Sequence, residues 1–134
     1  RLVVSGHVLR PYVKGLAPFV PLLNPRRPDY ALTRLSEHPV LAGIEARTLE
    51  ANRGVAGFYG RGHNPPPEGA VAITGLGPGM APVDWVWHRP AGGAVFMHAG
   101  NDLWGVGDDP AARKLIAERL VQWCLEGQVG EKAA

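Results

Sequence analysis

Val83-Asp84-Trp85-Val86-Trp87-His88-Arg89-Pro90-Ala91-Gly92-Gly93-Ala94-Val95-Phe96-Met97-His98 is the stretch on which the fold turns. Successive side chains of a strand point to opposite faces. Val83 to His88 therefore sets Trp85 and Trp87 on one face and Asp84, Val86 and His88 on the other. Pro90-Ala91-Gly92-Gly93 is turn chemistry, and Ala94 to His98 resumes as an apolar strand. Two such runs joined by a short glycine-containing turn predict a β-hairpin. Asp is disfavoured inside a strand, so Asp84 requires a partner, an arginine or a loop N–H. The tryptophan pair suits core packing, with stacking on a carbohydrate ring as the alternative.

Outward from the hairpin, Val71 and Ile73 mark Ala70 to Thr74 as a further strand. Tyr30 to Leu35 reads as another, with Tyr30, Leu32 and Arg34 on one face. Leu2-Val3-Val4-Ser5 is a short buried strand closed by Gly6. Val8, Leu9, Tyr12, Val13 and Leu16 follow at helical spacing, with Pro11 placed in the first turn. Strand, tight turn and helix make half of a βαβ unit. The proline-rich stretch from Pro18 to Pro28 is a connection. Glu37 to Ile44 reads as a strand end entering a turn. Glu45 to Gly69 reads as a long loop, because Gly54, Gly57, Gly60 and Gly62 interrupt any periodicity. Downstream, Asp109 can cap a last helix, Pro110 suits its first position and Gly127 its end. Ala112, Ile116, Leu120 and Trp123 form its buried stripe. Cys124 lies beside the stripe as a small core residue, and residues 127–134 are expected to fray. The pattern predicts an α/β class and one domain over residues 1–134, or the C-terminal part of one whose first strands lie upstream.

Composition narrows the function classes. Hydrophobic residues make up 46% and charged residues 19%, a globular balance. The net charge is only +2, and the adjacent basic pairs, Arg26-Arg27 and Arg113-Lys114, are isolated from each other, so nucleic-acid binding is not expected. No apolar run approaches the roughly 20 residues that span a bilayer, so no membrane partner is expected either. The single cysteine forms no internal disulfide, which points to a cytoplasmic location. The five histidines lack His-x-x-x-His spacing, and no Cys-x-x-Cys pair exists, so no metal is expected. Neither a phosphate-cradling glycine motif ending in Lys-Ser/Thr nor a dinucleotide fingerprint is present, and no cofactor is expected.

Three segments concentrate polar side chains on loops that follow strands, where ligands bind in open α/β sheets. Ser5-Gly6-His7 lies on a strand-to-helix turn, and its residues either meet a ligand or cap the helix. Gly60-Arg61-Gly62-His63-Asn64 combines close backbone approach with a guanidinium suited to carboxylate or phosphate; a plain surface turn is the alternative. His98-Ala99-Gly100-Asn101-Asp102-Leu103-Trp104 directly follows a strand, although Asn101 and Asp102 also suit an Asx turn and Trp104 a core plug. His7, His63 and His98 are the candidate acid/base groups. Ser5, Arg61, Asn64, Asp84, Asn101, Asp102 and Trp104 are the candidate substrate-binding groups.

The ordered set Val3-Val4-Ser5-Gly6-His7, Glu37-His38-Pro39-Val40-Leu41-Ala42-Gly43-Ile44 and Gly92-Gly93-Ala94-Val95-Phe96-Met97-His98-Ala99-Gly100-Asn101, followed by a helix with Trp123, resembles the C-terminal portion of ThuA-like proteins. These belong to the class I glutamine amidotransferase-like superfamily. The resemblance implies a flavodoxin-like three-layer sandwich: a largely parallel sheet flanked by helices, with a hairpin before the C-terminal helix. It also implies a link to sugar utilisation. Glutamine amidotransferases carry a cysteine within Gly-x-Cys-x-Gly at the elbow where this chain has Ser5-Gly6-His7. Glutamine hydrolysis therefore lacks its nucleophile and is rejected.

The resulting expectation is binding or transformation of a small polar, sugar-derived ligand in a cleft at the strand C-terminal ends. Enzyme and binding protein both remain open. The alternative is a non-catalytic assembly or regulatory module retaining the fold. Trp85, Trp87 or Phe58 would then be its contact residues, and a homo-oligomer its product.

Overall fold

The computed structural model describes residues 1–5, 32–50, 65–76, 81–98 and 109–133. Within them run β1 (Leu2–Ser5), β2 (Leu32–Arg34), a 3-10 turn (Pro39–Leu41), α1 (Ala46–Glu50), β3 (Val71–Leu76), β4 (Ala81–His88), β5 (Ala94–His98) and α2 (Pro110–Ala133). The strands form one five-stranded sheet in the order β1-β5-β4-β3-β2. The chain is thus mixed α/β, with a five-stranded sheet and a C-terminal helix.

The pairing corrects the expectation of a largely parallel sheet. Among the described strands only β1 and β5 run parallel; β2–β3, β3–β4 and β4–β5 are antiparallel. Connection length is the physical reason for the β3–β4 and β4–β5 pairs. Parallel neighbours need a crossover of a dozen or more residues, whereas residues 77–80 and 89–93 alone separate β3, β4 and β5. The β4–β5 hairpin closes as its sequence predicts. Arg89 N–H donates to the Gly93 carbonyl at 2.9 Å and Gly92 N–H to the Arg89 carbonyl at 3.0 Å. Gly92 and Gly93 sit at φ 102° and 78°, where a β-carbon would be strained.

Alternation along β4 and β5 divides the core into two faces. Val83, Trp85, Trp87, Val95 and Met97 lie on one, all buried. This places Trp85 and Trp87 in the interior and removes them both as contact residues for a partner and as stacking platforms for a sugar. Val86 and Phe96 lie on the other face, with Trp123 of α2 against Phe96 at 6.0 Å between ring centroids. Ala112, Ile116, Leu120 and Trp123 are the buried stripe of α2, as their spacing predicts. Cys124 is half-buried and packs against this core.

Gly127 does not stop the helix, which continues to Ala133. Its glycine serves close approach instead: a β-carbon there would overlap the Arg1 side chain. Arg1 donates from Nη1 to the Trp123 carbonyl at 2.9 Å, and its guanidinium lies 4.7 Å from the Trp123 ring centroid. The start of β1 thus meets the C-terminal part of α2, and the helix extends from there toward its N-terminal end at Pro110.

The segment read as a strand end is a 3-10 turn. Pro39 occupies its first turn, and His38 caps it by accepting the Val40 N–H on Nδ1 at 3.1 Å. Pro39 cannot donate to a strand ladder and has φ preset for a turn, which favours this outcome. The stretch read as a long loop contains α1, while residues 51–64 lie outside the described residues. Arg34 ties β2 to the turn by donating from Nη2 to the carbonyls of Leu41, at 2.9 Å, and Ile44.

The His38 ring packs edge-on against Phe96 and Trp123, at centroid distances of 5.5 and 6.2 Å. Burial holds its pKa below the ordinary value, and the positive charges of Arg1 and His88 add to the effect. The unfolded chain therefore takes up a proton before the folded one does. Stability contributed by neutral His38 is complete above the unfolded value near 6.5 and is lost as pH falls toward the folded one. His38→Asn keeps a capping side chain and removes the titration. Urea melts at several pH values should show the wild type losing stability below about pH 6.5 more steeply than the variant. Parallel profiles would count against His38 as the source.

Candidate functional site: a buried polar row across the sheet

Register brings residues from distant parts of the chain to one level of the sheet. Ser5 is the Cα partner of His98, His98 of Asp84, Asp84 of Thr74, and Thr74 of Arg34. The row crosses all five strands at the end where β1 and β5 terminate. Irregularities in the β3–β4 register on both sides of Thr74 are of the kind that re-aim a side chain beside a site.

Thr74, Asp84 and His98 are the buried polar residues among those described, and they form one hydrogen-bonded chain. The Asp84 backbone N–H donates to Thr74 Oγ1 at 3.1 Å, and Thr74 Oγ1 donates to Asp84 Oδ2 at 2.5 Å. Asp84 Oδ1 lies 2.6 Å from His98 Nδ1. The side chains of His98 and Asp84 are only 1% and 5% exposed, so solvent screens their interaction little.

A carboxylate accepts hydrogen bonds and does not donate them. Asp84 therefore fixes the His98 tautomer, with the proton on Nδ1. In the neutral ring Nε2 then carries the lone pair. Nε2 is itself buried and has no hydrogen-bond partner among the described residues. An imidazole oriented by a carboxylate on one nitrogen and open on the other can take up or deliver a proton, accept a hydrogen bond, or hold a ligand hydroxyl.

Among the described residues the two other buried side-chain atoms without a partner, Trp85 Nε1 and Arg119 Nη1, lie off this row. Arg119 borders a groove with Pro39, Ala42, Gln122, Trp123 and Glu126. That groove contains no member of the polar row, and the Glu126 carboxylate in its wall opposes binding of an anion by Arg119.

Of the residues expected at the site, the structure joins Asp84 to His98 directly and places Ser5 beside His98 in register. His7, Arg61, His63, Asn64, Asn101, Asp102 and Trp104 lie outside the described residues. The partners of Asp84 differ from those expected: an imidazole and a hydroxyl take the place of an arginine or loop N–H. Thr74 was absent from the candidate list. Val71 and Ile73 mark its strand, but only the register with β4 distinguishes its hydroxyl from an ordinary strand threonine.

Among the described residues no group of three or more His, Cys, Asp or Glu could hold a metal ion, and no helix is long and apolar enough to cross a membrane. No family model, curated protein or solved structure matches the chain.

Thr74→Val keeps the side-chain volume and removes the hydroxyl that serves Asp84 twice. Leaving a buried acceptor without its donor costs about 1–3 kcal/mol. Equilibrium urea unfolding at neutral pH should show a loss of that size with an unchanged m-value. An unaltered midpoint would mean that Asp84 does not depend on Thr74.

Proposed function

We propose that this chain binds or transforms a small polar, sugar-derived ligand at the sheet end where β1 and β5 terminate, with His98 Nε2 as the group that meets it. One observation carries the reading: a buried imidazole is held by a carboxylate at Nδ1 while its other nitrogen has no partner among the described residues. An orphaned buried polar atom costs about 1–3 kcal/mol, and a native structure that keeps one calls for a reason, a catalytic or binding role among them. A ligand hydroxyl would satisfy Nε2, and an alcohol proton is what such a nitrogen can accept.

The sugar-derived class comes from the ThuA-like resemblance of the segments around Ser5, His38 and His98, and from the flavodoxin-like domain which that resemblance implies. A cytoplasmic setting fits Cys124 as a free thiol. An assembly or regulatory module is less well supported, since two of the three aromatics that would make its contacts, Trp85 and Trp87, are buried.

Thermal-shift measurements against a panel of sugars and sugar acids test the proposal. At least one compound should raise the melting temperature, and His98→Gln should weaken its binding by about tenfold, the equivalent of one hydrogen bond. A folded wild-type chain that responds to no member of the panel would overturn it.

A further inference from the structure

The groove between the 3-10 turn and α2 is built on one side of the helix. Arg119, Gln122, Trp123 and Glu126 line it from α2, and Pro39 and Ala42 line it from the turn. The four helical residues stand at i, i+3, i+4 and i+7, positions that share one side of an α-helix. A cation and an anion therefore face the same groove two helical turns apart, with Gln122 and the Trp123 ring between them. That spacing is too wide for the pairing seen at i, i+3 or i, i+4, so neither charge neutralises the other.

Both charged groups are held ready for an outside partner. Arg119 Nη1 is buried and has no hydrogen-bond partner among the described residues. A guanidinium does not shed its proton, so that nitrogen calls for an acceptor. Arg119 Nη2 comes within 4.0 Å of the β-carbon position at Gly43, whose φ is 78°, which shows the side chain reaching from the helix to the turn. At the other end Gln122 Nε2 donates to Glu126 Oε1 at 3.1 Å. This steadies the carboxylate and leaves Oε2 to meet a cation. Arg1, which also meets Trp123, is held by the carbonyl and ring of that residue.

We propose that this groove binds a small ω-amino carboxylate, with its carboxylate on Arg119 and its ammonium group on Glu126. A plain anion is repelled by Glu126 and a plain cation by Arg119; a molecule with both charges satisfies each end. The guanidinium fork matches carboxylate geometry, and Trp123 gives the methylene chain an apolar wall. The groove encloses about 170 Å³, below the roughly 300 Å³ at which pockets for drug-sized molecules begin, so its occupant is small. Seven residues of helix rise about 10.5 Å, and a charged hydrogen bond of about 2.8 Å at each end leaves at least about 5 Å between the ligand charges. The chain of γ-aminobutyrate or ε-aminocaproate spans that gap, and glycine does not.

Calorimetric titration of the whole chain with glycine, γ-aminobutyrate and ε-aminocaproate tests the assignment, with butyrate and butylamine as single-charge controls. At least one of the two longer amino carboxylates should bind at one site and shift the Trp123 indole and Arg119 Nε–H resonances. Glycine and both controls should bind at least about tenfold more weakly, the loss of one charge-assisted hydrogen bond. Arg119→Gln and Glu126→Gln should each weaken binding by about tenfold. Glu126 is exposed, so its variant should keep the wild-type circular dichroism and reports on binding even if Arg119→Gln loosens the fold. Failure of a folded wild-type chain to bind either longer compound would overturn the inference. So would butyrate binding as tightly as γ-aminobutyrate, undiminished binding by Glu126→Gln, or resonance shifts that leave Trp123 and Arg119 untouched.

Discussion

Asp84 lies 2.6 Å from His98 with almost no solvent around either side chain, and the rest of the sheet is arranged under that constraint. A buried carboxylate is tolerable only if it is paired and hydrogen-bonded. Its partner stands directly across the β4–β5 ladder, so the pair fixes the register of the hairpin. A slip by one residue would turn every side chain of one strand to the opposite face. A slip of β4 would then turn Asp84 to the face of Val95 and Met97, away from His98. The turn supports the same register from the other end of the hairpin, through Gly92 and Gly93 in conformations that other residues resist.

The apolar layers keep this polar row in place. On the Phe96 face the alternation of β5 puts His98 two residues from Phe96, whose ring meets both His38 and Trp123. The C-terminal helix therefore shields the same face from which Asp84 and His98 project, and the 3-10 turn adds a second cover through Val40 and Leu41, both buried. Dense packing of this kind limits the rotamers open to the imidazole. Rigid placement is what a proton-transferring group requires, because reactivity falls quickly with misalignment.

Much of this fold could be read in the sequence where a local pattern determines the outcome. Alternation in Val83–His88 and the glycines at 92 and 93 specify the hairpin. The spacing of Ala112, Ile116, Leu120 and Trp123 specifies the helix face. Direction of pairing was less visible, since a run of valines looks the same in a parallel or an antiparallel ladder; only the short connections at 77–80 and 89–93 exclude the parallel choice. Helix ends mislead for a related reason. Gly127 looks like a stop, yet its small size accommodates Arg1, which is remote in sequence. The site was partly visible. Asp84 in a strand announced an unpaired charge, and His98 stood at a strand end, but their contact depends on register, and the role of Thr74 depends on irregular pairing that no spacing rule anticipates.

Buried ion pairs also occur as devices for fixing register, and such a role alone would account for Asp84 and His98 facing each other. The asymmetry of the histidine argues for an additional use. A device for register gains from satisfying both ring nitrogens, because each unsatisfied one subtracts from stability. Here the carboxylate is served by a hydroxyl and an imidazole, while the imidazole is served on Nδ1 alone. The unsatisfied atom lies at the end of the network facing away from the carboxylate, at the level of the sheet where β1 also ends. A network complete at its base and open at its tip is what a site needs in order to offer one nitrogen of fixed tautomer to a ligand. Its cost to stability is confined to that one atom.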